Sequence, residues 1–77
     1  MRLEQLEGFV ATARCGSISA AARKLGISRP AVSAAVKSLE QELGGALLVK
    51  GNHGVRLTSL GQLVLEKASG ALELIDE

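Results

Sequence analysis

Apolar residues recur at helical spacing in three successive segments, and each segment closes on glycine. Leu3, Leu6, Val10 and Ala13 fall on one face of a helix over about residues 3–14, with Phe9 widening the stripe and Gly16 supplying the stop. The segment SISAAARKLG repeats the logic on a smaller scale. Ser17 can accept a backbone N–H as the cap, Ile18, Ala21, Ala22 and Leu25 form the inner face, and Gly26 ends the helix. The alanines at 20–22 are small enough for another helix to approach closely. Ser28 starts a third helix with Pro30 in its first turn, where a missing N–H costs nothing. Val32, Val36, Leu39 and Leu43 line one side of it up to Gly44-Gly45. Only Ile27 separates Gly26 from Ser28, so the second and third helices meet through a tight turn and cross steeply, as in a helix-turn-helix.

After Gly45 the period changes. The runs ALLVK and VRL flank Gly51, Asn52, His53 and Gly54, a hairpin pattern in which glycine and asparagine supply the reversal. A two-stranded hairpin is barely stable alone, so it must pack on the helices. Thr58 reads as the cap of a fourth helix whose apolar residues cover more than one face. Within it Leu65, Ala68, Leu72 and Ile75 follow a two-in-seven spacing, for which a partner helix is the natural cover. This pattern runs to the last residue without a Gly, Pro or basic stop, as in a piece of a longer protein. The expected fold is mainly α: a winged helix-turn-helix of three helices and a two-stranded β-hairpin wing over residues 1–58, then the start of a long linker and dimerisation helix over 59–77.

Composition narrows the picture. The 77 residues suit one domain, and 47% hydrophobic residues with a single Phe and no Trp or Tyr require an aliphatic core. No apolar run approaches the ~20 residues of a membrane span, and the N-terminal MRLEQLEGFV lacks the features of a secretory signal. The lone Cys15 cannot form an internal disulfide and reads as a small buried apolar residue, which suits a reducing compartment, the cytoplasm by default.

The formal net charge of +1 conceals an uneven distribution. Between Gly8 and Leu65 seven basic residues face only Glu40 and Glu42, a net +5, while the first seven residues carry −1 and residues 66–77 carry −3. A basic middle between acidic ends points to a polyanion partner on one face.

The third helix concentrates that chemistry. At 100° per residue, Arg29, Pro30, Ser33, Ala34 and Lys37 fall roughly a third of a turn from the apolar side, and they include no acid. Short and cationic side chains suit insertion into the major groove, where bulk and negative charge are penalised. Arg29 has the planar fork that pairs with guanine, Ser33 can donate to or accept from a base edge, and Pro30 and Ala34 offer apolar contact to a thymine methyl. Lys37, further along, suits a phosphate. Helix starts favour anions, which brings in Ser17, Ser19, Ser28 and Thr58. In the hairpin, Lys50, Asn52, His53 and Arg56 are placed to follow the backbone or the minor groove.

Other functions find little support. His53 has no second His, Cys or carboxylate at metal spacing, the glycines match no nucleotide-binding pattern, and no nucleophile stands with a base. No metal, cofactor or catalytic residue is therefore expected. A winged-helix module that binds only protein is the competing reading, and the acid-free face of the third helix argues against it.

At this point the chain resembles the N-terminal DNA-binding domain of LysR-type transcriptional regulators. The resemblance rests on Ser17-x-x-x-Ala21-Ala22-x-x-Leu25, on Ile27-Ser28-x-Pro30-Ala31-Val32-Ser33, on Leu39-Glu40-x-x-Leu43-Gly44 and on Leu57-Thr58-x-x-Gly61, and it spans nearly the whole chain. It implies a cytoplasmic bacterial regulator that binds double-stranded promoter or operator DNA at an interrupted dyad, as a homodimer formed through linker helices. It also implies a C-terminal effector domain, absent from these residues, through which alone a small molecule would act. By the same resemblance Arg29, Pro30 and Ser33 make base contacts, and the wing around Asn52 and His53 reaches the minor groove. The chain departs from the family pattern at Arg29, where Gln is common and which should favour guanine over adenine. It departs again at Ala34, which shortens a usually long polar side chain, and at Leu48 and Lys50, which replace an aromatic residue and an arginine.

Overall fold

Three helices end where their glycines stand, and the chain then turns through a hairpin into a fourth. The computed structural model describes residues 1–76, and the side-chain environments of residues 1–68. The order is α1 (Leu3–Cys15), α2 (Ile18–Leu25), α3 (Arg29–Leu43), β1 (Leu48–Gly51), β2 (Gly54–Leu57) and α4 (Ser59–Asp76). The Ser17 hydroxyl accepts from the Ala20 N–H at 3.1 Å and that of Ser28 accepts from the Ala31 N–H at 3.2 Å, so both serines cap as their sequence positions suggest. Gly16, Gly26 and Gly44 close the three helices in the left-handed conformation. The strands pair antiparallel with Leu48 opposite Leu57, Val49 opposite Arg56 and Lys50 opposite Val55.

The core is aliphatic around one ring. Phe9, Leu39, Leu47 and Val32 are fully buried, with Ala21, Ala22, Val36 and Val10 completing the cluster. Close approach of α1 to α3 depends on small residues: a Cβ on Gly8 would stand 3.2 Å from that of Ala35. Two buried polar side chains are satisfied internally. Thr12 donates to the Gly8 carbonyl at 2.8 Å, and the Gln5 amide donates to Ser38 at 2.7 Å while accepting the Arg2 N–H.

The inner face of α1 differs from its simple stripe. Leu3 is exposed at 45% and Ala13 is half-buried, whereas Ala11 and Thr12 are buried beside Phe9 and Val10. The reason is position: α1 is touched by α2, α3, α4 and β2 together, so neighbours surround its middle on several sides and no single stripe suffices.

The fourth helix adds to this core. This helix packs back on α1 and β2, so Ala68 is 4% exposed within the chain's own core and Leu65 packs against that core. These two members of the two-in-seven spacing thus contribute to the packing of the chain itself, Ala68 buried and Leu65 half-buried. Leu63, at 52% exposure, is the large apolar side chain that α4 presents outward among those described. Leu72 and Ile75, the other members of that spacing, lie outside the residues whose side chains are described.

Candidate nucleic-acid interface

Along α3 the apolar residues turn inward and leave one edge to solvent. Val32, Val36 and Leu39 are buried, whereas Arg29, Pro30, Ala34 and Lys37 are exposed and Ser33 is half-buried. The edge that the sequence marked as cationic and short-chained is therefore outward.

That edge forms one wall of a groove of about 420 Å³. The α2 start contributes Ser17, Ile18 and Ser19, α3 contributes Arg29, Pro30 and Ser33, and the hairpin contributes Lys50, Gly51, Gly54 and Val55. Two cations and three hydroxyls line it, and no carboxylate does, so its field favours an anion. A neighbouring hollow of about 190 Å³ holds Lys37 and Lys50 together with Glu40.

The groove keeps its width because the hairpin is pinned at two places. The Val55 N–H donates to the Gly16 carbonyl at 3.0 Å, tying β2 to the α1–α2 junction. Gly54, at φ +113, passes so close to that carbonyl that a Cβ would fall inside its van der Waals envelope. On the other side the Glu40 carboxylate accepts the Leu47 N–H at 2.7 Å and the Leu48 N–H at 3.4 Å, holding the start of β1 against α3. A charged acceptor makes the first of these stronger than an ordinary amide bond.

The remaining candidate residues divide by face and by prior engagement. Residues paired across an antiparallel hairpin share a face, so Lys50 and Val55 look into the groove while Arg56 and Val49 look away from it. Asn52 and His53 form the exposed tip. Thr58 is taken up within the protein: its hydroxyl donates to the Ala46 carbonyl at 2.6 Å and accepts the Gly61 N–H at 3.0 Å, so its proton is not free for a phosphate. Ser19 accepts a hydrogen bond from Arg29 Nη1 at 3.2 Å, which joins the α2 start to the first residue of α3.

Sequence reasoning missed three contributors. Ile18, assigned to the inner face of α2, and Val55, part of the VRL hairpin run, both line the groove. Glu40 was counted only as a charge opposing the basic stretch. Its place in the Leu-Glu-x-x-Leu-Gly run marked it as notable without revealing that its partners are backbone amides seven and eight residues on. Among the described residues no three His, Cys, Asp or Glu side chains gather at metal-binding range, and no helix is long and apolar enough to cross a membrane.

Known proteins share this arrangement. Residues 3–62 match the family of bacterial regulatory helix-turn-helix proteins named for lysR. The HTH-type transcriptional regulator TcbR of Pseudomonas sp. (strain P51) is 39% identical over 74 residues, which are 96% of this chain and 25% of that protein. TfdS of Cupriavidus pinatubonensis is 46% identical over the same length and the same shares. The chain thus spans about a quarter of the length of the curated relatives it matches. Among solved structures, a CbnR_DBD–DNA complex superposes with a TM-score of 0.91 at 38% identity, covering 99% of this chain and 87% of that one. A BenM_DBD/benA site 1 DNA complex gives 0.92 at 37% identity, covering 99% and 88%.

Proposed function

The chain belongs to the lysR family of bacterial regulatory helix-turn-helix proteins, and from that premise we propose that it is the domain with which a bacterial transcriptional regulator reads specific double-stranded DNA. The observation that carries this reading is the outward, acid-free edge of α3 beside a wing that faces it across a cationic groove. We read residues 1–58 as the winged unit and 59–77 as the start of a linker helix. The domain acts in the cytoplasm beside its promoter DNA, and any small-molecule effector acts on other parts of the regulator. Recovery of the full-length regulator in the membrane fraction would contradict that placement.

In this reading the first turns of α3 enter the major groove, with Arg29 over a guanine and Pro30, Ser33 and Ala34 against neighbouring base edges. Ser17, Ser28, Lys37 and Lys50 meet phosphates, since helix starts and ammonium groups attract anions without regard to sequence. Asn52 and His53 approach the adjacent minor groove. A gel shift against a pool of random duplexes at moderate salt tests the reading: selective retention of a sequence subset supports it, and no retention refutes it.

Two substitutions separate base reading from phosphate contact. Arg29→Ala should remove about 1–3 kcal/mol of discrimination at one base position, leaving other positions as they were. Lys37→Ala should weaken binding to every duplex alike and lower the slope of log affinity against log salt by roughly one. Uniform losses for Arg29→Ala would show that this arginine reads no base.

The domain is further proposed to bind an interrupted dyad as a homodimer joined through α4. Support comes from the exposed Leu63 on that helix and from the apolar run that continues toward residue 75. Sedimentation should show concentration-dependent dimers, and a monomer at every accessible concentration would refute the proposal.

A further inference from the structure

Arg29 does not stand free on its helix. Its Nη1 donates to the Ser19 hydroxyl at 3.2 Å, a bond between side chains ten residues apart that bridges the turn joining α2 to α3. Of the three serines near these helix starts, Ser17 and Ser28 have their oxygens engaged by their own helices, through the Ala20 and Ala31 N–H groups. Ser19 points its acceptor at the arginine instead. Both residues lie on the groove wall that faces away from the apolar core.

We propose that Ser19 is a positioning residue for base selection, holding the Arg29 guanidinium across the mouth of the groove before DNA arrives. The inference rests on the proposed reading of DNA by Arg29. An arginine has a long, rotamer-rich side chain whose freedom binding must otherwise remove. A side chain held beforehand loses less on binding, so its preference for the right base is better expressed. The geometry leaves the chemistry intact. Guanidinium has five N–H donors in a planar fork, and a bond from Nη1 leaves Nε and Nη2 able to donate side by side to the O6 and N7 of guanine. Without the bond, the same charge would sweep the open groove and meet phosphate as readily as a base.

The test compares the chain with Ser19→Ala, Ser19→Thr, Arg29→Ala and the Ser19→Ala/Arg29→Ala pair. Affinities are measured on the best duplex selected from a random library and on its three single-base variants at the position where Arg29→Ala changes preference. Salt dependence is recorded for each, and thermal unfolding checks that every variant is folded. Ser19→Ala is expected to reduce preference at that one position by about three- to tenfold, the range of one modest hydrogen bond. The salt slope should stay unchanged, Ser19→Thr should restore the preference, and the Arg29→Ala background should show no further loss. An equal fall on all four duplexes would make Ser19 a phosphate contact and overturn the proposal, as would full additivity with Arg29→Ala. Should Arg29→Ala itself leave base preference unmoved, the reading by Arg29 fails first and the inference falls with it, a result distinct from failure at Ser19 alone.

Discussion

Gly54→Ala is expected to loosen the wing and destabilise the domain by about 2–5 kcal/mol, combining backbone strain with an overpacked contact. The residue adopts φ +113, which L side chains rarely reach. Its missing Cβ is also what lets β2 lie on the Gly16 carbonyl, where Val55 donates its N–H. Alanine must push the strand outward, so the methyl group and that hydrogen bond cannot coexist. The groove between Arg29 and Lys50 should widen, and affinity for a selected duplex should fall together with the melting temperature. Gly51→Ala is the internal comparison: its Cβ would meet the Gly54 carbonyl oxygen at an ordinary 3.7 Å. Thermal unfolding and a binding titration on both variants decide the matter. Equal, small changes in the two would show that the approach of wing to junction is not what places the strand.

Phe9→Ala should have the largest effect on folding, about 3–5 kcal/mol lost. Phe9 is fully buried, is the sole aromatic residue and stands on the helix that touches α2, α3, α4 and β2. No other side chain of its volume is available to close over the cavity. A domain of this size has total stability of roughly 4–12 kcal/mol, so a large share would go. The melting temperature should drop by more than about 12 °C, at 4 °C or more per kcal/mol for domains of this length. Leu3→Ala offers the contrast. Leu3 belongs to the same apolar spacing but is 45% exposed, and its truncation should change the melting temperature little. Comparable losses for the two would mean that α1 is buried along its stripe after all.

That contrast shows where local reading succeeds and where it stops. Ser17, Gly16, Ser28 and Gly44 mark helix ends because capping involves atoms within three or four residues, and such contacts are written in the immediate sequence. The hairpin was legible for the same reason. Burial along α1 was not, because a helix with neighbours on several sides has no single inner stripe to reveal. The α4 spacing left its packing open for a related reason: Leu65 and Ala68 suit a partner helix and also suit α1 and β2, and periodicity does not say which surfaces meet.

From the chain alone came the order of elements, their caps, the aliphatic composition of the core and the cationic edge of α3, since all follow from near-neighbour chemistry and period. Tertiary packing alone decided that Glu40 holds the β1 amides, that Gly54 rests on the Gly16 carbonyl and that Ser19 meets Arg29. Each of these joins groups from different elements, and their meeting depends on how buried surfaces settle against one another, a property no single segment carries.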